Sequence, residues 1–277
     1  MTDFLKHIAL PKDIVPVASL LQGQFHPETP LVWVPGDDRE NDIQLDIPQG
    51  ERLTLVEILP EAADTRFSIT LGDNAHLNHI RIITQGADTQ YQAQLGDDAT
   101  LELSTLILAG NSDNRYEIDC GRGSRADLYG MGVPNGKERI SNRIRLRHKA
   151  PLGQSNQVFR YVADQESLAV FDGKIIVEKD AQKIQAYQKS NNILLSQTAR
   201  VETAPQLEIY ADDVRCSHGA TVGQLDQTAL FYMRSRGIPY ATARKMLVRS
   251  FLNETLAAVR ADWITDRIGE LLDERLA

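Results

Sequence analysis

The sequence predicts a mainly β protein, coiled as a β-helix solenoid and followed by a short helical segment. Three observations carry that expectation. From about residue 41 to 225 the chain runs in short alternating stretches broken by Gly, Asp and Asn turns, the texture of consecutive strands. Inside that region a turn-and-strand unit recurs. After residue 225 the spacing of apolar residues changes to that of a helix.

The recurring unit is clearest in "LGDNAHL" at 71–77 and "LGDDATL" at 95–101, a step of 24 residues from Gly72 to Gly96. A looser copy, "GSRADL" at 123–128, begins 27 residues after Gly96, and "QGERLTL" at 49–55 places its glycine 22 residues before Gly72. Each copy reads as a Gly-led polar turn, a small residue and an alternating strand. Steps of this size suggest that each copy is one coil stacked on the last. Leucine-rich repeats share the period, but their L-x-x-L-x-L-x-x-N signature is absent. The alternative architecture is a β-sandwich with similar turns.

Before the strands, residues 1–40 are Pro-rich, with prolines at 11, 16, 27, 30 and 35. They read as an irregular lead-in with room for one short helix. The β-helix core spans 41–225, and a helical segment spans 226–277. There, "DQTALFYMRSRG" (226–237) opens on an Asp suited to an N-cap and closes on a Gly suited to a helix stop. Over 240–260, Ala243, Leu247, Phe251 and Thr255 fall on one stripe with Met246 beside them; Ile264, Ile268, Leu271 and Leu272 do likewise further on. Such helices either cap the open end of the solenoid or dock a partner.

Composition excludes several classes. A net charge of −8 argues against broad nucleic-acid binding and against docking on anionic membranes. No apolar run is long enough for a spanning helix, and the opening "MTDFLKHIALPKDIVPVASLL" has no signal-peptide core. Two cysteines give no disulfide framework, which suits a reducing compartment, so a cytoplasmic location is expected.

The chemistry concentrates at Cys216-Ser-His218. Two residues apart on a strand, thiol and imidazole share one face, and both are ligands that iron and zinc select. They supply at most two ligands, so a metal there needs the rest from elsewhere, such as another subunit. The competing readings are a buried Cys with a hydrogen-bonded His, and a Cys216 nucleophile activated by His218 with Asp212 and Asp213 orienting the ring. His76 and His79 stand apart from this pair and face opposite ways on a strand. Arg143, Arg145 and Arg147 alternate with Ile144 and Leu146, which reads as a solvated strand face over an apolar one. No G-x-x-x-x-G-K-[ST], G-x-S-x-G, H-E-x-x-H or paired C-x-x-C occurs, so no complete catalytic kit is present.

One long stretch, "LEIYADDVRCSHGATVGQLDQTALFYMRSRGIPYATARKMLV" (207–248), resembles the C-terminal signature of the SufD branch of the SufB/SufD family. These are components of the SUF iron–sulfur cluster assembly system. The SufB branch carries an E-A-T-type sequence where this chain has His218-Gly219-Ala220-Thr221. The segment 154–196 is similar to the family's core, so the resemblance spans roughly residues 70–260. It implies a right-handed parallel β-helix with terminal helices. It also implies a non-enzymatic scaffold that pairs through its β-helix with a SufB-like subunit or with a second copy. Docking of a SufC-like ATPase through the C-terminal helices would place Phe231, Tyr232, Arg234, Arg236, Met246 and Leu247 on the docking surface.

The same resemblance makes His218, with Cys216 beside it, a contributor to a nascent cluster site at the subunit interface. A transient iron–sulfur cluster or iron would then be shared with the partner. A site completed in trans needs only one or two residues here, and ATP hydrolysis would belong to the partner, in keeping with the missing phosphate loop. Members of that family usually carry a longer N-terminal helical domain, whereas this sequence reaches strand texture after about 40 residues. A third reading is a metal-free structural partner that only braces the ATPase.

Overall fold

The computed structural model describes residues 31–34, 41–59, 62–259 and 261–276, so most of the lead-in expected over 1–40 lies outside the described residues. Among them are fifteen strands and three helices. The odd-numbered strands are β1 (Leu31–Trp33), β3 (Arg52–Leu59), β5 (His76–Ile83), β7 (Thr100–Ile107), β9 (Arg125–Gly132), β11 (Gln154–Ala163), β13 (Ile184–Leu194) and β15 (Val214–Gln224). They stack in that order as one sheet. The even-numbered strands are β2 (Asp42–Ile47), β4 (Ala63–Leu71), β6 (Ala87–Leu95), β8 (Ser112–Cys120), β10 (Arg139–His148), β12 (Leu168–Val177) and β14 (Arg200–Ile209), and they form the second. Neighbouring strands are parallel throughout. The chain therefore alternates between two facing sheets, which is a β-solenoid and excludes the antiparallel β-sandwich.

What stacks the coils is visible in their turns. Gly50, Asn74, Asp98, Gly123, Leu152 and Lys183 all adopt positive φ. Each donates its backbone N–H to the carbonyl of the next coil's turn: Gly50 to Asp73, Asn74 to Asp97, Asp98 to Arg122, Gly123 to Pro151, Leu152 to Gln182 and Lys183 to Asp213. Asn and Asp tolerate this left-handed region better than most residues. A second glycine position lies two residues earlier. Gly72, Gly96 and Gly121 donate to Ile47, Leu71 and Leu95, and a Cβ on Gly121 would sit 2.7 Å from the Leu95 carbonyl oxygen.

This corrects two of the repeat spacings expected from sequence. The partner of Gly96 is Gly121, not Gly123, and Gly50 corresponds to Asn74 rather than to Gly72. Glycine serves both positions of the turn for different reasons, backbone conformation at one and close approach at the other. Aligning glycine to glycine therefore slips the register by two.

Alternation does the rest. Inward residues of both sheets fill a lumen in which Phe67, Tyr91 and Tyr116 stack in register, with ring centroids 5.8 Å apart at each step. On β10 the expected pattern holds. Ile144 and Leu146 are buried, while Arg143 and Arg147 face outward and pair with Asp113 and with Asp119 and Glu178.

The helices are α1 (Gln227–Ser235), α2 (Tyr240–Leu256) and α3 (Asp262–Arg275). Asp226 caps α1 by accepting from the N–H groups of Thr228 and Ala229. The helix ends with Gly237 at φ +87°, whose N–H reaches Arg234 O while that of Ile238 reaches Met233 O, a Schellman closure. In α2 the buried stripe is Ala243, Val248, Leu252, Thr255 and Leu256; Leu247 and Phe251 are half-buried beside it. In α3 it is Ile264, Ile268 and Leu272. These residues pack on Ile58, Ile80, Ile82, Leu106 and Met131, the outward face of the odd-strand sheet. Arg160 on β11 fastens α2 by donating to Phe251 O at 2.6 Å, pairing with Glu254 and lying over the Phe251 ring. The helices thus cover a flank of the solenoid. Among the described residues nothing lies on its last coil.

Candidate functional site

The last coil is made of β14 and β15, each paired on one side only. An edge strand presents a row of free N–H and C=O groups, a ready template for another strand. The β14 edge is blunted by Pro205, which has no N–H to offer. The eleven residues of β15 include no proline.

On β15 the inward register positions continue columns from the coils below: Cys216 over Ala186, His218 over Gln188, Ala220 over Ser190 and Val222 over Asn192. In the coil beneath, those partners are buried. On β15, Cys216 is half-buried against Ala186 and its neighbours, while His218, Ala220 and Val222 are exposed. The structure therefore brings Cys216 and His218 to one face, about 6.6 Å apart along the strand. They lie at the open mouth of the lumen. Asn192, at the adjoining position, holds this strand by donating to Thr221 O at 3.0 Å.

Burial pushes the Cys216 thiol up, offset only in part by a backbone hydrogen bond at Ala186. That is the opposite of what an activated nucleophile needs. Among the described residues, no hydrogen bond or ion pair joins His218 to Asp212, Asp213 or any other carboxylate. The other cysteine, Cys120, is sealed in the lumen and held at about 12 by burial.

As a metal site the pair is chemically apt and incomplete. Thiolate and imidazole suit iron or zinc, yet two donors fill half a tetrahedral shell. Among the described residues no group of three or more His, Cys, Asp or Glu could hold a metal ion. His76 is half-buried against Glu102 at 3.1 Å on the outer face, whereas His79 is fully buried inside, as alternation required.

The expected docking residues separate into two groups. Phe231, Tyr232 and Met246 are 72%, 59% and 49% exposed, with Tyr240 also open. Arg236 lies over the Tyr232 ring and Arg234 over Tyr240. Leu247 instead packs partly into the helix–sheet core.

Sequence reasoning missed the ionised interior of the solenoid. Glu57, His79 and Arg81 are all wholly buried in the lumen. Arg81 grips Glu57 through two nitrogens and donates to Thr89 at 3.0 Å, and His79 Nδ1 meets Tyr91 OH at 3.2 Å. A signal was present: Glu57, Arg81 and Thr105 follow the 24-residue step along one column.

The fold and the mouth together define a parallel β-solenoid protein that offers a thiol and an imidazole at an unpaired sheet edge. A family model described as "SUF system FeS cluster assembly, SufBD core domain" matches residues 41–251, and the chain belongs to that family. It is 32% identical over 244 residues to the iron-sulfur cluster assembly protein SufD of Escherichia coli K12, covering 84% of this chain and 58% of that protein. An iron-sulfur cluster assembly SufBD family protein of Synechocystis is 44% identical over 113 residues, which are 41% of this chain and 24% of the relative. A Mycobacterium tuberculosis member is 27% identical over 165 residues, 57% of this chain and 42% of its own length. The chain spans 58% or less of each of these relatives. No helix among the described residues is long and apolar enough to cross a membrane.

Proposed function

We propose that this chain is a non-catalytic scaffold subunit of a SUF-type iron–sulfur cluster assembly complex. The β15 edge pairs with a second solenoid, a SufB-like chain or another copy. Cys216 and His218 then become half of a site whose remaining ligands come from that partner, and iron or a transient cluster rests there as cargo. The exposed face of Phe231, Tyr232, Arg234, Arg236 and Met246 docks a SufC-like ATPase, which supplies the ATP hydrolysis that this sequence has no phosphate loop to perform.

One observation carries this reading. The two side chains able to ligate a soft metal lie on the inward face of β15, an edge strand of eleven residues without proline that closes the last coil. Membership of the SufBD family supports it. The rival, a Cys216 nucleophile, is disfavoured by the raised thiol and by an imidazole that no carboxylate among the described residues orients.

A photo-crosslinking residue at Val222 should capture a second solenoid chain when the assembly complex is formed, while the same probe at Gln44, on the outer face of β2, should not. Capture from Gln44 with silence at Val222 would overturn the pairing.

A further inference from the structure

His218 stands at the top of a short polar column. Beneath it in register come Gln188 on β13 and Gln157 on β11, and beneath those the column turns apolar at Leu128 and Leu103. The two carboxamides therefore stand only next to the mouth. Both are buried, Gln188 at 3% exposure and Gln157 at 0%. Gln188 Nε2 donates to Gln157 Oε1 at 2.8 Å. A Cβ on Gly173 of the facing sheet would collide with that same nitrogen, so glycine at 173 leaves the room the amide occupies.

A planar amide whose nitrogen turns down toward Gln157 turns its oxygen elsewhere. Gln188 Oε1 is buried and finds no donor in the protein. An orphaned buried acceptor costs about 1–3 kcal/mol, a cost that an apolar rung would avoid. The rung above it is His218, and parallel strands lie about 4.8 Å apart, within reach of a carboxamide and an imidazole.

We propose that Gln188 is a positioning residue for His218. Its Oε1 accepts the N–H of one imidazole nitrogen, fixes the tautomer and aims the lone pair of the other nitrogen out of the lumen, toward iron. Ligating histidines are oriented in this way by an acceptor behind them. The proposal rests on the reading of His218 as an iron ligand, and its test separates the two.

The test uses the full chain labelled with ¹⁵N and Co²⁺ as the metal probe. At a pH where the imidazole is neutral, long-range ¹⁵N–¹H spectra should show one dominant His218 tautomer in the wild type. They should show a mixture in Gln188→Leu and a single tautomer again in Gln188→Glu. Co²⁺ affinity should fall about 10–100-fold in Gln188→Leu. Gln188→Met gives the same comparison should the leucine variant not fold. An unchanged tautomer and unchanged Co²⁺ affinity in these apolar variants would overturn the positioning role. Co²⁺ binding that survives His218→Ala would instead overturn the ligand reading, and the tautomer spectrum still decides the contact with Gln188.

Discussion

Glu57 and Arg81 face each other across adjacent strands of the lumen as register partners, both with no exposed surface. Burial alone would push the Glu57 carboxyl up. The Arg81 charge and hydrogen bonds from His79 and Arg81 outweigh that and hold it down at about 2. Such a pair is costly to break from one side, because the survivor is a buried charge with no counterion. Arg81→Met should therefore destabilise the protein by about 3–5 kcal/mol in urea unfolding. Glu57→Met combined with Arg81→Met should recover most of the loss. Equal loss in the single and double variants would show that shape, not charge, holds this coil.

The buried titratable groups set a pH dependence with a definite sign. Burial lowers His148 from 6.5 to about 4, and lowers His79 as well. Above 6.5 both states are neutral and the contribution is complete. As pH falls from 6.5 toward 4 the unfolded chain takes up the proton first, and stability is lost. Glu57 adds a second loss between 4.5 and about 2, where the unfolded carboxyl protonates before the folded one. The urea midpoint should accordingly decline in two stages on acidification. His148→Leu should remove up to about 3 kcal/mol of the first stage. A decline of the same steepness in that variant would rule out His148 as its source.

Close packing makes its own prediction at Gly130. A Cβ there would run into the Phe159 ring, which stacks on Phe171 at 4.9 Å. Gly130→Ala should cost about 1–3 kcal/mol through overpacking, with a lower melting temperature as readout. A neutral result would mean that the Phe159 ring can swing away freely.

Attachment of the helical segment depends on Arg160, whose guanidinium reaches Phe251 O and Glu254 while covering the Phe251 ring. Arg160→Ala should speed amide exchange in α2, by roughly 1.5–3 kcal/mol of lost protection, and leave β3 to β9 unchanged. Faster exchange spread evenly over the strands would contradict a local clamp.

The exposed aromatic face offers a cleaner separation of roles. Phe231→Asp and Met246→Asp lie on open surface, so thermal stability should move by less than about 0.5 kcal/mol. Binding to the SufC-like ATPase of the proposed complex, followed by co-purification, should be lost. Retained binding in both variants would place the docking surface elsewhere.

The solenoid was legible in the sequence because stacking imposes one turn geometry on every coil. The G-D-N-A and G-D-D-A turns therefore repeat at 24 residues where the coils are shortest. The copies blurred where glycine occupied a different turn position, at Gly50 and Gly123. The flank position of the helices was not legible, since an amphipathic stripe such as Ala243 and Phe251 shows that a face is covered, not what covers it. Spacing and alternation put Cys216 and His218 on one strand face and only permitted a metal site there; the family resemblance of the surrounding stretch singled the pair out. Gln188 was invisible, because a glutamine at an inward strand position has meaning only once Gln157 and His218 are known to share its column.

In the proposed complex Cys216 and His218 together supply half of a shared cluster site at the open end of the solenoid. Its most direct test is cluster formation by the reconstituted complex under anaerobic conditions, with wild-type chain or His218→Ala, followed by absorbance. The variant should fold and assemble with its partners but form no cluster. A normal cluster yield from His218→Ala would contradict it.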